Sequence, residues 1–292
     1  MKKLTTAVFL CSLAVVVSGC PETFSPNGPF TPKLVVYAVF SNQSDTQYVR
    51  VQSSYEHQNG HAASGVAGAH VMVTSDSGTV QFHDTTLALT DSSGTIRNVA
   101  AYVSYSLHVG PGIPYTLSVS SSPLGTVSSS ATGLYPGALF VETSSTSRIA
   151  VRIYPGQNAR AHIVRLFLEY NAQQDSLLVR KRVEIPASVT PAGAFVYPVP
   201  VSSEVAEATF DATGFDRVVA RVRQEGAVRL VRTMFVLTEL DAAMYGYYSV
   251  VNQFQGAGTL RLDEPDYTNI ANGFGLFAIT SVTTAAADTT GH

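Results

Sequence analysis

Short β-prone segments separated by turn residues run through most of this chain and restrict it to a β-rich fold. Residues Leu34 to Phe40 form a continuous apolar segment of strand length, and Gln47 to Val51 alternates polar and apolar side chains. From Gly68 onward, turn residues recur about every 8 to 12 positions, which is the spacing typical of a β-sandwich. The sequence therefore predicts an all-β protein.

Two domains are predicted from a break in this pattern. We expect an immunoglobulin-like β-sandwich over residues 33–130 and a second β-sandwich-like domain over residues 138–283, because residues 131–137 interrupt the strands with Gly and Pro. Strand candidates in the second domain are residues 148–153, 161–170, 176–185, 215–224 and 227–237. The Thr- and Ala-rich residues 284–292 are predicted to be a frayed tail.

One short α-helix is predicted in the second domain, near residues 239–254. Thr238 offers a hydroxyl cap three residues before Asp241, which approximates a capping box. Apolar and aromatic residues then recur at helical spacing, at Leu240, Met244, Tyr247, Tyr248 and Val251. This helix is expected to pack on the second sheet.

The first nineteen residues have the form of an export signal, with two lysines followed by an apolar segment too short to span a membrane. The segment Val17, Ser18, Gly19, Cys20 resembles the bacterial lipobox. By that resemblance, residues 1–19 are removed and Cys20 carries the acyl chains that anchor the protein in the membrane. Since Cys11 lies within the signal, no thiol would remain for a disulfide.

Residues 20–32 are predicted to be an extended, Pro-rich tether between the lipid and the fold. Pro21 follows the cysteine in place of the aspartate that holds many lipoproteins at the inner membrane, which implies the outer membrane as the destination. Without residues 1–19 the chain has 16 basic and 21 acidic residues, a formal charge of 16 − 21 = −5. Such a balance gives no general attraction to nucleic acid.

Several segments together resemble a family of bacterial outer-membrane lipoproteins defined as a domain of unknown function, numbered 4249. They are Pro32 to Val36, Val66 to Val71, Pro114 to Val119, the tyrosine-rich Met244 to Tyr248, and Asn269 to Phe277. In the last of these, Asn272 stands where the family usually has glycine, and asparagine also tolerates positive φ. The resemblance implies an accessory role beside TonB-dependent outer-membrane transporters, and it brings no catalytic residues.

Arginines are concentrated in the second domain, where 11 of the 14 fall between Arg148 and Arg232. Arg217, Arg221 and Arg223 are predicted to lie on an outward strand face, as are Arg180 and Arg182. One interpretation is a site for an anionic ligand held by guanidinium groups. The other, which we favour, is a solvated face whose arginines pair across strands with Glu169, Glu184 and Glu225.

The tyrosines of the predicted helix suggest a second kind of contact surface. Tyr245, Tyr247 and Tyr248 occupy three of four successive positions, so they cannot all face the core. An outward Tyr245 or Tyr248 could contact a partner transporter or a sugar. Alternatively, the rings pack on the sheet and only their hydroxyl groups meet water.

Motifs for catalysis are scarce in this sequence. His57 and His61 have the spacing of a zinc-binding helix, but Gln58 and Gly60 favour a loop without metal. No Gly-x-Ser-x-Gly segment, phosphate loop or dinucleotide motif occurs. We therefore expect no cofactor, no metal and no enzymatic activity, and a binding or assembly role in envelope uptake. A surface adhesin or glycan-binding lipoprotein is the alternative, and a hydrolase is a distant third.

Overall fold

A computed structural model describes residues 31–54, 65–90, 95–142, 148–174, 177–185, 198–201, 206–224, 227–253 and 267–287 of the 292-residue chain. The described residues form mostly β-strands with two short helices, which confirms the predicted all-β class. No described helix has the length and apolar character required to cross a membrane. From Lys33 onward the chain forms one compact unit.

Seven strands are described in the N-terminal half, and the first two lie where the sequence predicted strands. They are β1 (Leu34–Ser41), β2 (Gln47–Ser53), β3 (His70–Ser75), β4 (Gly78–Thr90), β5 (Ile96–Ser104), β6 (Pro114–Ser121) and β7 (Gly125–Thr132). The alternation is visible in β6, in which Tyr115, Leu117 and Val119 are buried while Pro114 and Thr116 are exposed.

Eight strands and two helices are described in the C-terminal half. They are β8 (Ala138–Glu142), β9 (Arg148–Tyr154), β10 (Ala161–Gln174), β11 (Leu177–Ile185), β12 (Val199–Pro200), β13 (Ala206–Asp211), α1 (Ala212–Gln224), β14 (Ala227–Leu240), α2 (Ala242–Gln253) and β15 (Phe274–Ala287). Strands β10, β14 and β15 each have 14 residues, so they build a tall sheet.

One large sheet runs through both halves of the chain, in the order β11-β10-β14-β15-β1-β2-β5-β4-β3-β6-β7, with β12 paired to β10. Its centre is the parallel pairing of β1 with β15, in which Val36 lies opposite Gly275. The sequence assigns β15 to the second domain and β1 to the first, so this pairing joins the two predicted domains in one sheet. Their separation along the chain hides the pairing from any local pattern.

Strand β4 takes part in two packed layers of the N-terminal half. Its first residues pair with β3, where Phe82 lies opposite Val71, and its later residues pair with β5, where His83 lies opposite Val103. The layers enclose a core in which Phe40 stacks on Phe82 with ring centroids 5.8 Å apart. Phe40 also meets the ring of Phe277 edge-on at 5.2 Å, so β15 contributes directly to the N-terminal core.

A second core lies between β10 and β14 on one side and the three-stranded sheet β13-β9-β8 on the other. Phe210 of β13 and Phe235 of β14 meet edge-on with ring centroids 5.8 Å apart. Helix α1 adds Val219 to this core, and its Val222 packs with Tyr170 of β10. The helix therefore rests on the same face of the large sheet as the three-stranded sheet does.

The prediction of a strand at residues 215–224 is wrong, because these residues belong to α1. The arginine spacing fits both structures: Arg221 and Arg223 alternate as in a strand, but Arg217 and Arg221 also have the i, i+4 spacing of a helix. The apolar residues decide the outcome, since they recur at i, i+3, i+4 and i+7 and turn inward as Phe215, Val218, Val219 and Val222. The fold thus has two described helices where one was predicted.

Two boundaries also differ from the prediction. Helix α2 starts at Ala242 because Thr238 belongs to β14, and the residue that caps the helix is Asp241, whose Oδ1 accepts a hydrogen bond from the N–H of Met244 at 2.8 Å. Strand β15 continues to Ala287, opposite Thr233 of β14, so residues 284–287 are paired where a frayed tail was predicted.

Candidate functional site

The exposed face of β10, β11 and β14 carries the largest group of charged side chains that the structure brings together. On β10, Val164, Leu166 and Leu168 point into the core, and the alternate positions 165, 167 and 169 point outward. We call the outward surface the arginine face. It consists of Arg165, Arg180, Arg182 and Arg232 with Glu169, Glu184 and Phe167.

Glu169 is the centre of the arginine face. Its Oε2 accepts hydrogen bonds from Nε of Arg232, at 2.6 Å, and from Nη2 of Arg180. The Glu169 side chain is only 12% exposed, whereas those of Arg180 and Arg232 are 54% and 41% exposed. The hydrogen bond from Arg232, reinforced by Arg180, lowers the pKa of Glu169 below its ordinary value despite partial desolvation.

The remaining arginines of this face have looser partners. Nε of Arg165 lies 3.8 Å from Oε1 of Glu184, and the guanidinium of Arg182 stacks 3.5 Å from the ring centroid of Phe167. The four guanidinium groups and two carboxylates named here sum to a formal charge of 4 − 2 = +2. This is a cationic patch on a chain whose formal charge is −3.

Cross-strand ion pairing is the interpretation that the structure supports for these arginines. Glu169 and Glu184 engage the neighbouring arginines, as the solvated-face interpretation predicts, although the partner of Glu184 is Arg165. Glu225 lies outside the described residues. Arg182 contacts the ring of Phe167, whereas the solvated-face interpretation predicted a carboxylate as its partner.

The structure does not bring the predicted ligand-binding residues together. Arg217, Arg221 and Arg223 are exposed on α1, which rests on the face of the sheet where the even-numbered residues of β10 point. Tyr245 and Tyr248 of α2 pack against Ala161, Ile163 and Leu240, and Ile163 points to the opposite face. A single ligand would therefore not span both groups.

The tyrosines of α2 pack on the sheet while keeping partial contact with solvent. Tyr245 and Tyr248 are half-buried against Ile163 and Leu240, and the ring of Tyr247 meets that of Tyr248 edge-on at 6.3 Å. This arrangement agrees with the packing alternative of the sequence analysis. It leaves none of the three rings fully exposed.

A pair of exposed aromatic rings on β8 and β9 was missed by the sequence analysis. Phe140 is 59% exposed and Tyr154 is 41% exposed, and their rings meet edge-on with centroids 5.2 Å apart. The available signal was the alternation in β8, in which Leu139 and Val141 pack into the core and Phe140 must therefore point outward. The edge-on geometry offers one ring face at a time, not a flat two-ring platform.

Buried polar residues lie in one cross-strand row beneath the loops that follow β7 and β9. Glu239 of β14 is 0% exposed, and it lies between His162 of β10 and Ser281 of β15. Its two carboxylate oxygens accept hydrogen bonds from the N–H groups of Gly137 and Gly156, both at 2.6 Å. Burial nevertheless raises the pKa of Glu239 above its ordinary value.

The order of this row differs from that of a catalytic triad, since the carboxylate lies between the histidine and the serine. His162 is 2% exposed, its Nδ1 has no hydrogen-bond partner among the described residues, and burial lowers its pKa. Asp241 is similarly buried and accepts the N–H of Ile279 at 2.8 Å. Glu239 and Asp241 connect loops and a helix end to the sheet, and their burial keeps them out of reach of a substrate.

The other predicted sites add no reactive cluster. His57, His61, Cys20 and its preceding residues Val17, Ser18 and Gly19 lie outside the described residues. Among the residues that the structure describes, no group of three His, Cys, Asp or Glu side chains could hold a metal ion. His108 lies at the surface, with Nδ1 2.9 Å from Oδ1 of Asp45.

A hydroxyl-lined groove of 510 Å³ opens beside the cis peptide bond between Ser122 and Pro123. Its lining includes His70, Ser120 and Thr126, and it has no carboxylate and no arginine. The groove is shallow and uncharged, so it offers a ligand fewer fixed contacts than the arginine face does.

Comparison with known proteins gives one match over most of the chain. The family model described as Domain of unknown function (DUF4249) matches residues 22–286. No curated protein matches the chain.

Proposed function

Since the chain belongs to the DUF4249 family, whose function is undefined, we propose a function from its own residues. The protein is a lipid-anchored component of the cell envelope that acts as a non-enzymatic binding or assembly accessory of an outer-membrane uptake system. The lipobox-like segment ending at Cys20 and the Pro-rich residues 20–32 support the anchor and the tether.

The arginine face is the observation that carries the binding role. Its side chains project from three hydrogen-bonded strands, so their positions are set by a rigid sheet. Arginine and aromatic side chains are enriched at protein interfaces, and the outward guanidinium groups offer paired hydrogen-bond donors to a partner. An envelope partner with carboxylate groups on its surface fits this chemistry.

A pull-down of the tagged protein from outer membranes in mild detergent tests the binding role. The informative variant is Arg165→Gln with Arg180→Gln, which removes two charges from the arginine face. Its matched control is Arg217→Gln with Arg223→Gln, which removes two exposed charges from α1 on the opposite side of the sheet. We expect a transporter in stoichiometric amount with the original protein and the control, and about tenfold less with the face variant. An unchanged yield with the face variant would refute this surface.

The anchor is tested separately by Cys20→Ser. We expect this variant to appear in the soluble periplasmic fraction, because the acyl chains are the attachment that the sequence offers. If the variant stays in the outer membrane after a high-salt wash, the lipid-anchor proposal fails.

Glycan binding is the second candidate function, and the exposed rings of Phe140 and Tyr154 favour it. Aromatic faces pack on the apolar faces of sugars. Screening of the protein against envelope and surface glycans distinguishes this role from the uptake role. Phe140→Ala is the variant, and Tyr105→Ala, at another exposed ring, is the control.

A further inference from the structure

The outer edge of β11 is one of the sheet edges that the described fold leaves open. Among the described strands, β11 is the last of the large sheet, and β10 is its one partner there. Residues 177–182 are all exposed, although successive side chains of a strand point to opposite faces. The start of this strand therefore meets solvent on both faces and presents a free edge of backbone N–H and C=O groups.

The side chains along this edge are ordered by chemistry. Leu177, Leu178 and Val179 come first, with exposures of 69%, 67% and 37%. Three consecutive cations follow, at Arg180, Lys181 and Arg182. Exposed apolar residues on an edge strand favour pairing with other chains, and charged residues on the edge limit such pairing. The three cations would therefore disfavour most added strands and admit one that carries acidic side chains.

We propose that the free edge of β11 binds an extended, acidic segment of a partner protein by adding it as a further strand to the sheet. This inference rests on the proposed function, since it names the edge and the partner chemistry through which an envelope accessory would dock. Main-chain hydrogen bonds supply affinity in this mode, and side chains on alternate faces supply specificity. Acidic side chains would lie opposite residues 180–182, and apolar ones opposite residues 177–179.

Charge argues against a second copy of this chain as the occupant. If two β11 strands paired antiparallel over their full length, Lys181 would lie opposite Lys181 of the other copy, and Arg180 opposite Arg182. Like charges directly opposite one another destabilise a sheet. Glu169 partly neutralises Arg180, but Lys181 has no ion pair among the described residues, so the contact between the two Lys181 side chains stays repulsive.

The test uses the full chain with Cys20→Ser and a fluorescent nine-residue peptide in which a block of glutamates lies next to a block of valines, matching the order of charges and apolar residues on β11. Binding is followed by fluorescence anisotropy. We expect the peptide to bind and its lysine–valine counterpart to bind about tenfold more weakly. A glutamate–valine peptide with N-methylated backbone nitrogens keeps its charge but lacks the N–H donors that pair one strand with another. We expect this peptide not to bind. If the methylated peptide binds equally well, or the unmethylated peptide does not bind, the proposal fails.

Proline substitutions locate the binding edge. In an antiparallel pair, the N–H groups of successive residues point alternately to the neighbouring strand and away from it. One of Leu178→Pro and Val179→Pro removes an N–H that points away from β10. We expect that variant to keep the thermal stability of the protein but no longer bind the peptide. Lys181→Glu should weaken binding about tenfold, and Arg50→Glu, a charge reversal on β2, should not change it. Retention of the peptide by both proline variants would overturn the proposal.

The outcomes separate this inference from the proposed function. If the outer-membrane pull-down still captures its transporter with the edge-blocking proline, the edge proposal is wrong and the accessory role stands. If the peptide binds as expected but no transporter is captured, the edge proposal stands and the uptake role is wrong. If a concentration-dependent dimer disappears in the same proline variant, the occupant is a second copy and the acidic-partner proposal is overturned.

Discussion

Gly275 lies so close to Val36 that a Cβ atom at position 275 would be 2.0 Å from the Val36 carbonyl oxygen. The two residues face each other in the parallel pairing of β1 with β15, which joins the two halves of the fold. Gly275 also has φ of 114°, a conformation that side chains rarely adopt. The sheet thus depends on glycine at this position.

We expect Gly275→Ala to destabilise the protein by about 3 kcal/mol or more, because it adds a backbone clash to an unfavourable φ. Gly78→Ala is the matched control. Gly78 has a similar φ of 124°, but a Cβ atom there would meet nothing within 4 Å. Urea denaturation of both variants measures the difference. Equal losses of stability would show that φ alone, and not contact with Val36, requires the glycine.

Glu239 supports a second prediction, about the loops that follow β7 and β9. Its two oxygens each accept one backbone N–H, from Gly137 and Gly156. Glu239→Gln would place an amide NH₂ against one of these N–H donors, which leaves a buried donor unsatisfied and costs about 1–3 kcal/mol of stability. Glu184→Gln, at an exposed position, is the control and should cost well below 1 kcal/mol. A fully stable Glu239→Gln protein would contradict the assigned hydrogen bonds.

Tyr102 gives a third prediction, in the N-terminal core. Its ring is 2% exposed, and its hydroxyl donates to the Val66 carbonyl at 2.7 Å and accepts the N–H of Ala69 at 2.8 Å. Tyr102→Phe removes both hydrogen bonds and leaves a buried N–H without an acceptor. We therefore expect the free energy of unfolding, measured by heat or urea, to fall by about 1–3 kcal/mol. Tyr105→Phe, on a ring that is 69% exposed, should leave stability unchanged.

Strands were predictable from the sequence where one face of the strand is buried and the other is exposed to solvent. β6 shows why: Tyr115, Leu117 and Val119 alternate with polar residues, and turn residues bound the segment. α1 was not predictable in the same way, because its arginines fit a period of two as well as a helical spacing. The apolar residues resolve the ambiguity, because Val219 and Val222 recur at helical spacing and are buried on one side.

The candidate site was less predictable than the fold because it depends on pairings across the chain. The pairing of Glu169 with Arg180 follows from a hairpin and could be anticipated, but its bond to Arg232 requires β14 to lie beside β10. The sequence prediction placed Glu239 at the start of the helix near residues 239–254. Its burial beside His162 and Ser281 is set by strand register, which no local pattern encodes.

Glu169 of β10 and Glu239 of β14 lead to a final prediction. We expect their contributions to the free energy of unfolding to change with pH in opposite directions. The arginine contacts lower the pKa of Glu169, so its contribution is present above the ordinary glutamate pKa and is lost as the pH falls through the lowered value. Burial raises the pKa of Glu239, so its contribution is present at acidic pH and is lost as the pH rises through the raised value.

Unfolding free energies measured from about pH 3 to about pH 8 check these signs. Glu169→Gln should be destabilised by about 1 kcal/mol or less near neutrality, and its deficit should shrink toward acidic pH as the original carboxylate becomes protonated. Glu239→Gln should show the reverse trend, with its largest deficit in acid. At acidic pH the Glu239 side chain of the original protein is a neutral acid, so its burial costs little. Near neutrality it is an ionised carboxylate, and its burial lowers the stability of the original protein as well. Parallel pH profiles for the two variants would contradict the opposite environments that the structure gives them.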